Sequence, residues 1–149
     1  MAHTPTSDSR YITVERMRHW IRDRSAQDNL LHADLRYSDT EIKYAMEDAA
    51  GYYNSIPPFI NRIDWNRLPR NEIAYFHGIA HHLYLSRVAQ LIENEVTYTA
   101  GEVKTDHDSQ LIERLQKAAA FHEERFTRMV SQRKLAANAS RVYGSVGGC

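Results

Sequence analysis

Histidine is the residue type in this chain with the best prospect of doing chemistry. His77 and His81 lie four residues apart, a spacing that places both on one face of a helix. His82 and His122 are further candidates, and two histidines at helical spacing can share a zinc ion. The segment from His77 to His81 lacks the glutamate of helical zinc proteases, and the chain contains no Glu-x-x-His pair of the di-iron kind. We therefore expect partly buried, hydrogen-bonded histidines. A metal-binding helical-bundle enzyme using His77, His81 and His122 is the alternative.

The other reactive groups form no recognisable catalytic arrangement. Serine and lysine lack the flanking motifs of nucleophiles, the glycines form no phosphate-binding loop, and the single cysteine is Cys149. Acidic residues on two predicted helices suit helix N-termini and solvated faces: Glu41, Glu47, Asp48, Glu123 and Glu124. The sequence therefore predicts no catalytic residue, no cofactor and no metal ligand, and we expect a protein that is not an enzyme.

Helices must position these side chains, and the apolar spacing predicts about four of them. The first is short, with its apolar residues between Val14 and Ile21, and Thr13 can cap it. The second has a specific start signal, because Ser38 is followed three residues later by Glu41, the pattern of a capping box. Pro57-Pro58 ends that helix, since proline disfavours helical backbone in the residue before it.

Two long helices follow a connector at residues 59–70. One runs from Asn71 to about Glu95, and a close helix–helix crossing would explain Gly78 inside it. The segment from Val96 to Asp108 is rich in β-prone residues and predicts a loop or small β-hairpin. The last helix runs from about Ser109 to Asn138. At about 1.5 Å per residue it is about 45 Å long, which is more than one small domain needs.

The predicted fold class is an all-α helical bundle with two long antiparallel helices. Residues 1–10 are expected to form a flexible N-terminal arm, residues 11–138 the bundle, and residues 139–149 a flexible C-terminal docking tail. Residues 125–149 contain five basic side chains and no acidic one: Arg125, Arg128, Arg133, Lys134 and Arg141. These cations either complement a helix C-terminus or dock on an acidic partner or DNA, and the sequence leaves both interpretations open.

Composition narrows the function classes. Apolar residues make up 42% of the chain, charged residues 26%, and the formal net charge is zero. This balance argues against a dedicated nucleic-acid binder and against a disordered chain. No apolar run approaches the ~18 residues of a membrane span, so no membrane contact is expected. The polar N-terminus predicts no secretory signal, and we expect a soluble protein that is intracellular when made.

Four tyrosines do not fit the apolar stripes, and exposed aromatic side chains are favoured in protein–protein contacts. They are Tyr37, Tyr44, Tyr75 and Tyr98. We expect these side chains to lie at the surface, where they would be available to a partner.

Several motifs occur in a familiar order between about residues 12 and 143: Trp20–Arg24, Asp28–Leu31, Tyr37–Ile42, Tyr52–Pro58, and the turn Tyr98-x-Ala100-Gly101 before the final long helix. This order resembles the head-to-tail connector (adaptor) proteins in the neck of tailed bacteriophages. The chain departs from the family pattern at Glu102, where a second glycine often follows Gly101.

The resemblance implies a structural virion protein without enzymatic activity. Such adaptors are helical bundles that form a homo-oligomeric ring, typically a dodecamer, between the portal protein and a further neck or tail protein. Genomic DNA passes through the lumen without sequence-specific binding. The protein would be made in the host cytoplasm and reside in the virion neck, at the head–tail interface.

The resemblance also implies where the contacts lie. The C-terminal segment would reach the portal, with the candidate residues Arg141, Val142, Tyr143 and Val146. The segment between the long helices would contact a neighbouring subunit or neck protein, with the candidates Tyr98, Gly101 and Val103. Besides the metal-binding enzyme, a small DNA-binding regulator using the basic C-terminal stretch is a rival hypothesis.

Overall fold

The structure is a computed structural model that describes residues 10–23, 36–98 and 106–144. Its four α-helices are α1 (Val14–Ile21), α2 (Asp39–Ser55), α3 (Ile73–Tyr98) and α4 (Asp106–Gly144). A 3₁₀ turn at Trp65–Arg67 lies in the connector between α2 and α3. The predicted all-α bundle with two long final helices is confirmed. No helix in the described ranges has the length and apolar character to cross a membrane.

Local sequence signals set the starts of the first two helices as predicted. The Thr13 side chain accepts a hydrogen bond from the backbone N–H of Arg16 at 3.1 Å and caps α1. At α2 both halves of the capping box form, because the Ser38 hydroxyl accepts from the Glu41 N–H and the Glu41 carboxylate accepts from the Ser38 N–H. α2 ends at Ser55, shortly before Pro57-Pro58, whose peptide bond is cis.

The two long helices pack against each other in antiparallel order. His77 contacts His122, whereas His81, further along α3, contacts Ala119, which comes earlier in α4. A Cβ atom added at Gly78 would lie 2.8 Å from a ring carbon of Phe126. The predicted close crossing at Gly78 is therefore confirmed, since a side chain there would overlap the Phe126 ring.

The core lies between α2, α3 and α4, and α1 covers one side of it. Its largest fully buried apolar side chains are Met17, Ile42, Met46, Leu68, Ile79, Leu83, Phe126 and Val130. Arg18 ties α1 to α2, because its guanidinium bonds both Asp23 at 2.7 Å and Asp39 at 2.6 Å. The short α1 is thus held by tertiary contacts, as a helix of eight residues must be.

The segment between the long helices differs from its prediction. The backbone of Val96 to Tyr98 continues α3, and that of Asp106 to Asp108 already belongs to α4. The predicted loop or hairpin is wrong for these residues, because extending a nucleated helix adds one hydrogen bond per residue and outweighs a modest β-propensity. The remaining residues, 99–105, lie outside the described part of the chain.

The C-terminal boundary also moves. α4 has 39 residues and continues beyond Asn138 to Gly144, so the predicted flexible tail is wrong for residues 139–144. Alanines at 136, 137 and 139 favour helix, and neither proline nor glycine interrupts the chain before Gly144. Residues 145–149 lie outside the described ranges, as do residues 1–9 of the predicted arm. Arg10 is not free, since its carbonyl accepts from the Arg70 N–H at 3.0 Å.

Candidate functional site

The candidate histidines meet where α3 and α4 pack, and we call His77, His81, His82 and His122 the histidine seam. The Nδ1 atoms of His77 and His122 are 2.7 Å apart, so one ring donates a hydrogen bond and the other accepts it. The Nδ1 of His81 donates to the carbonyl of Ala119 at 2.9 Å. His77 and His81 are hydrogen-bonded, as predicted, and both are buried more fully than the partial burial that the sequence led us to expect.

Aromatic rings enclose one end of this seam. Trp20 of α1 makes edge contacts with His77 and His122, with ring centroids 5.4 Å and 5.7 Å apart. Tyr84 of α3 and Phe121 of α4 contact His122 as well. The seam therefore joins three helices through an apolar environment in which an extra charge would be poorly solvated.

Burial lowers the pKa of three histidines of the seam, His77, His82 and His122. It lowers the pKa of His122 to about 4, and His77, His81 and Arg125 nearby lower it further in the same direction. Burial, with a smaller contribution from Arg125, also lowers the pKa of His77. The packing and hydrogen bonds of the seam thus favour the uncharged form of His77 and His122.

A metal centre finds no support in this geometry. Within residues 10–23, 36–98 and 106–144, no three histidine, cysteine, aspartate or glutamate side chains are placed to hold a metal ion. His77 and His122 use their Nδ1 atoms on each other, and His81 uses its own on a carbonyl. The alternative of a metal-binding enzyme using His77, His81 and His122 therefore gains nothing from the arrangement.

Lys134 of α4 has a structural role that the sequence did not reveal. Its side chain is 1% exposed, and its ammonium donates to the carbonyls of Tyr53 at 2.5 Å and Ile56 at 2.6 Å. The same nitrogen lies 4.3 Å from the centre of the Tyr53 ring. Burial lowers the pKa of Lys134, and these oxygens and the ring face replace the water that it loses. No sequence signal marks this lysine, because its partners are about 80 residues away along the chain.

The remaining cations of the basic stretch also have partners within the chain. Arg133 forms an ion pair with Glu72, and Arg141 donates to the Asn61 side chain at 2.9 Å. Arg128 pairs with Glu124 at 3.6 Å, and Arg125 lies over the Phe121 ring. These contacts hold α4 against the connector and complement its own acidic residues, which weakens the hypothesis of a DNA-binding regulator that uses this stretch.

Large apolar side chains of α4 remain exposed at several positions. Phe121 is 49% exposed, Leu135 61% and Val142 57%. Their spacings of fourteen and seven residues place them along one line of the helix, with Arg128 between the first two. We call Phe121, Leu135 and Val142 the outer stripe. Exposed apolar side chains that are grouped on one surface occur at protein contact sites.

The predicted contact residues have mixed outcomes. Arg141 and Val142 are exposed on the last turns of α4, and Tyr143 belongs to the same helix. Tyr98 lies at the end of α3. Gly101, Val103 and Val146 lie outside the described residues, so the structure does not test whether the two predicted groups form surfaces.

The surface prediction for tyrosines was correct at one position and wrong at two. Tyr44 is 62% exposed, as expected, whereas Tyr37 and Tyr75 are buried. Tyr75 packs on the Tyr53 ring, and the backbone N–H of Tyr37 donates to the buried Asp23. The spacing of apolar residues along one helix could not predict these contacts, because Tyr53 and Asp23 belong to other segments of the chain. The side chain of Tyr98 is not among those described.

Comparison with known proteins adds no relative. No family model, no curated protein and no solved structure matches the chain.

Proposed function

We propose that the protein is a structural virion subunit, a head–tail connector adaptor of a tailed bacteriophage. It assembles as a homo-oligomeric ring, twelvefold in the simplest case, between the portal protein and a further neck or tail protein, and the ring lines the channel through which genomic DNA passes. In this function the protein acts by shape and contact, and it needs no catalytic residue.

The outer stripe of α4 is the observation that carries this function. Large apolar side chains at Phe121, Leu135 and Val142 extend over 21 residues of helix, about 32 Å at 1.5 Å per residue. Burying one such side chain contributes about 1.5–3 kcal/mol, so a subunit that covers the stripe gains enough free energy to stabilise an assembly. A monomer that worked alone would gain nothing from this surface.

The position of α4 supports a role in reaching another subunit. Its C-terminal part lies past the start of α3, where Arg133 and Lys134 fasten it to the connector and to the end of α2. Beyond Lys134, Leu135 and residues 138–142 are exposed. We propose that this end, with Arg141, Val142, Tyr143 and Val146, docks on the portal, and that Tyr98, Gly101 and Val103 contact a neighbouring subunit or neck protein.

The charge distribution suits a channel wall. The chain has no net charge, and Arg133, Lys134 and Arg141 of α4 are bonded to partners within the subunit. A wall without a strong basic excess lets DNA slide, because tight binding to DNA requires many free cations that displace its counterions.

Native mass spectrometry of the purified chain, alone and mixed with portal protein, tests this function. We expect a ring in at least one of the two conditions, and we expect Leu135→Glu to reduce the assembled fraction at least tenfold. Leu85→Glu is the matched control, because it places the same charge on an exposed leucine of α3 that lies outside the outer stripe.

Both variants should keep the helical circular dichroism and the unfolding midpoint of the wild-type protein, since both leucines are exposed. A wild-type chain that stays monomeric with and without portal would contradict the proposed function. Equal loss of assembly in the two variants would remove the outer stripe as its basis.

A further inference from the structure

The connector between α2 and α3 carries a large apolar side chain that the fold leaves in water. Phe59 is 74% exposed, more than any other large hydrophobic residue in the described part of the chain. It belongs to the segment at residues 56–63, which we call the Phe59 loop. Burying such a side chain is favourable, so Phe59 is available to a partner surface. Neither the outer stripe nor the proposed portal-docking residues include it.

Hydrogen bonds on both sides of Phe59 hold this loop in one shape. The Asn54 side chain donates to the carbonyl of Ile63 and accepts from the N–H of the same residue, both at 2.9 Å. Closer to the apex, the N–H of Ile60 donates to the carbonyl of Pro58 at 2.8 Å. A side chain on a fixed backbone loses little conformational entropy when it binds, so Phe59 is preorganised for a contact.

The Phe59 loop is fastened to the C-terminal part of α4. Lys134 donates to the carbonyl of Ile56 at 2.6 Å, and Arg141 donates to the Asn61 side chain at 2.9 Å. Residues 56–63 and 133–144, which we call the basic end, contain four basic residues and no acidic one: Arg62, Arg133, Lys134 and Arg141. Lys134 is buried and Arg133 pairs with Glu72. Arg62 and Arg141 are exposed, and neither forms an ion pair within the described ranges.

The opposite end of the two long helices is acidic. Their antiparallel register places the end of α3 beside the start of α4. Residues 92–98 and 106–113, which we call the acidic end, contain five acidic residues and neither lysine nor arginine: Glu93, Glu95, Asp106, Asp108 and Glu113. Glu113 pairs with Lys117 at the exposed surface, a contact of little strength, so its carboxylate can exchange partners. Apolar side chains accompany the charge, since Ile92 is 43% and Leu111 38% exposed.

The two ends complement each other but cannot meet within one subunit. Leu111 and Lys134 lie 23 residues apart along α4, which is about 35 Å at 1.5 Å per residue. Exposed charges in water are screened within about 8 Å at physiological ionic strength. The complementary charges and apolar side chains can therefore come together only between two copies of the chain.

We propose that the Phe59 loop of one subunit binds the acidic end of a second copy of this chain, with Phe59 as the apolar anchor and Arg62 beside it in sequence as a cation. The contact joins two different surfaces, so its repetition builds a ring if the rotation between subunits closes. Opposite charges orient the two surfaces, and the buried apolar side chains supply affinity. This contact rests on the proposed homo-oligomeric ring and names two surfaces through which its subunits meet.

Sedimentation velocity of the full chain at low ionic strength tests the contact. The wild-type protein is compared with Phe59→Ser, which removes the anchor, and with Glu113→Lys, which reverses a charge of the acidic end. Tyr44→Ser and Glu47→Lys are the matched controls, because they make the same kinds of change at exposed positions of α2, which belongs to neither end.

We expect the wild-type chain to self-associate without any other protein, and to do so more weakly as salt is added. Phe59→Ser and Glu113→Lys are each expected to associate at least tenfold more weakly, whereas the two controls match the wild-type protein. An equimolar mixture of Phe59→Ser and Glu113→Lys should form a 1:1 dimer with wild-type affinity. The intact acidic end of the first variant meets the intact Phe59 loop of the second, which is possible only when a contact joins two different surfaces.

A wild-type chain that stays monomeric on its own at low salt overturns this contact, as does a mixture of the two variants that stays monomeric. A ring that forms only with portal protein would then leave the proposed function standing without this contact. Self-association with the expected variant pattern but no binding of portal would support the contact and contradict the head–tail function. Phe59 and Glu113 are exposed, so both variants should keep the wild-type unfolding midpoint, which verifies that they fold.

Discussion

Gly78 and Gly51 are two helical glycines whose surroundings differ completely. At Gly78 an added Cβ would lie 2.8 Å from the Phe126 ring, a distance at which the ring must move. At Gly51 of α2 nothing lies within 4 Å of such a Cβ. The same residue type therefore reflects close packing at one position and no packing constraint at the other.

We predict opposite effects of alanine at these two positions. Gly78→Ala is expected to lower the free energy of unfolding by about 1–3 kcal/mol, because overpacking outweighs the gain in helix propensity. Gly51→Ala is expected to raise it by about 0.5–1 kcal/mol, since alanine reduces the entropy of the unfolded chain and nothing opposes it. Urea denaturation followed by circular dichroism measures both. Two changes of the same sign would contradict this account of Gly78.

At the scale of the elements, a side chain of one helix forms hydrogen bonds with the backbone at the end of a neighbouring helix. The C-terminal carbonyls of a helix have no partner within it, and α2 solves this at Tyr53 and Ile56 with the ammonium of Lys134 from α4. A cation at a helix C-terminus is also favoured by the helix dipole. One lysine therefore both caps α2 and fixes the position of α4 beside it.

Lys134→Met is expected to lower the free energy of unfolding by about 2 kcal/mol or more. The variant keeps the apolar part of the side chain but leaves buried carbonyls without their charged donor. Lys117→Met is the matched control, because Lys117 is 75% exposed and pairs with Glu113 on the surface of the same helix. Exposed ion pairs of this kind contribute little to the free energy of unfolding, because water screens the two charges. Similar losses in the two variants, measured by urea denaturation, would show that Lys134 does not act as a cap.

At the scale of the whole molecule, the histidine seam is the place where α1, α3 and α4 contact one another. Protonation of both His77 and His122 would place two positive charges on rings whose Nδ1 atoms are 2.7 Å apart, with Arg125 nearby. On the α3 side the neighbours are His81 and His82, and Trp20 of α1 brings no carboxylate. Acid therefore weakens the contact on which the arrangement of three helices rests.

We predict that stability falls as the pH is lowered from about 6.5 towards the pKa of His122, about 4. In this interval the unfolded chain binds protons that the folded chain does not, so lowering the pH favours unfolding. Above about pH 6.5 both states are neutral at this residue, and its contribution no longer changes. Urea midpoints measured from pH 7.5 to 4.5 record the slope.

A variant pair separates this residue from the general acid response. His122→Gln removes the titrating group and is expected to flatten the slope, whereas His19→Gln, at an exposed position of α1, leaves the wild-type slope. Equal slopes in the wild-type protein and His122→Gln would exclude the seam as the source of acid sensitivity.

Local signals in the sequence were sufficient for much of the fold. The capping box at Ser38 and Glu41, the cap at Thr13 and the stop before Pro57-Pro58 act within a few residues, so they can be recognised without the fold. Apolar spacing likewise predicted about four helices, and Gly78 indicated a close crossing. Helix ends without a strong stop signal were placed too early, at Glu95 and Asn138, because propensity alone is a weak guide to a boundary.

Within the candidate site, the sequence predicted hydrogen-bonded histidines but not their partners. It also grouped Lys134 with the surface cations, although its fully buried position depends on carbonyls of α2. Tyr37 and Tyr75 were wrongly expected at the surface. Other segments of the chain bury them, and the local sequence around a residue does not show which distant segment will pack on it.

The sequence by itself thus determined the helical class and the starts of the early helices, since these follow from interactions between residues close along the chain. Tertiary structure alone decided that His77 faces His122, that Lys134 caps α2 and that the Phe59 loop lies beside the C-terminal part of α4. These pairings join segments far apart in sequence, and their free energy exists only once the helices have packed.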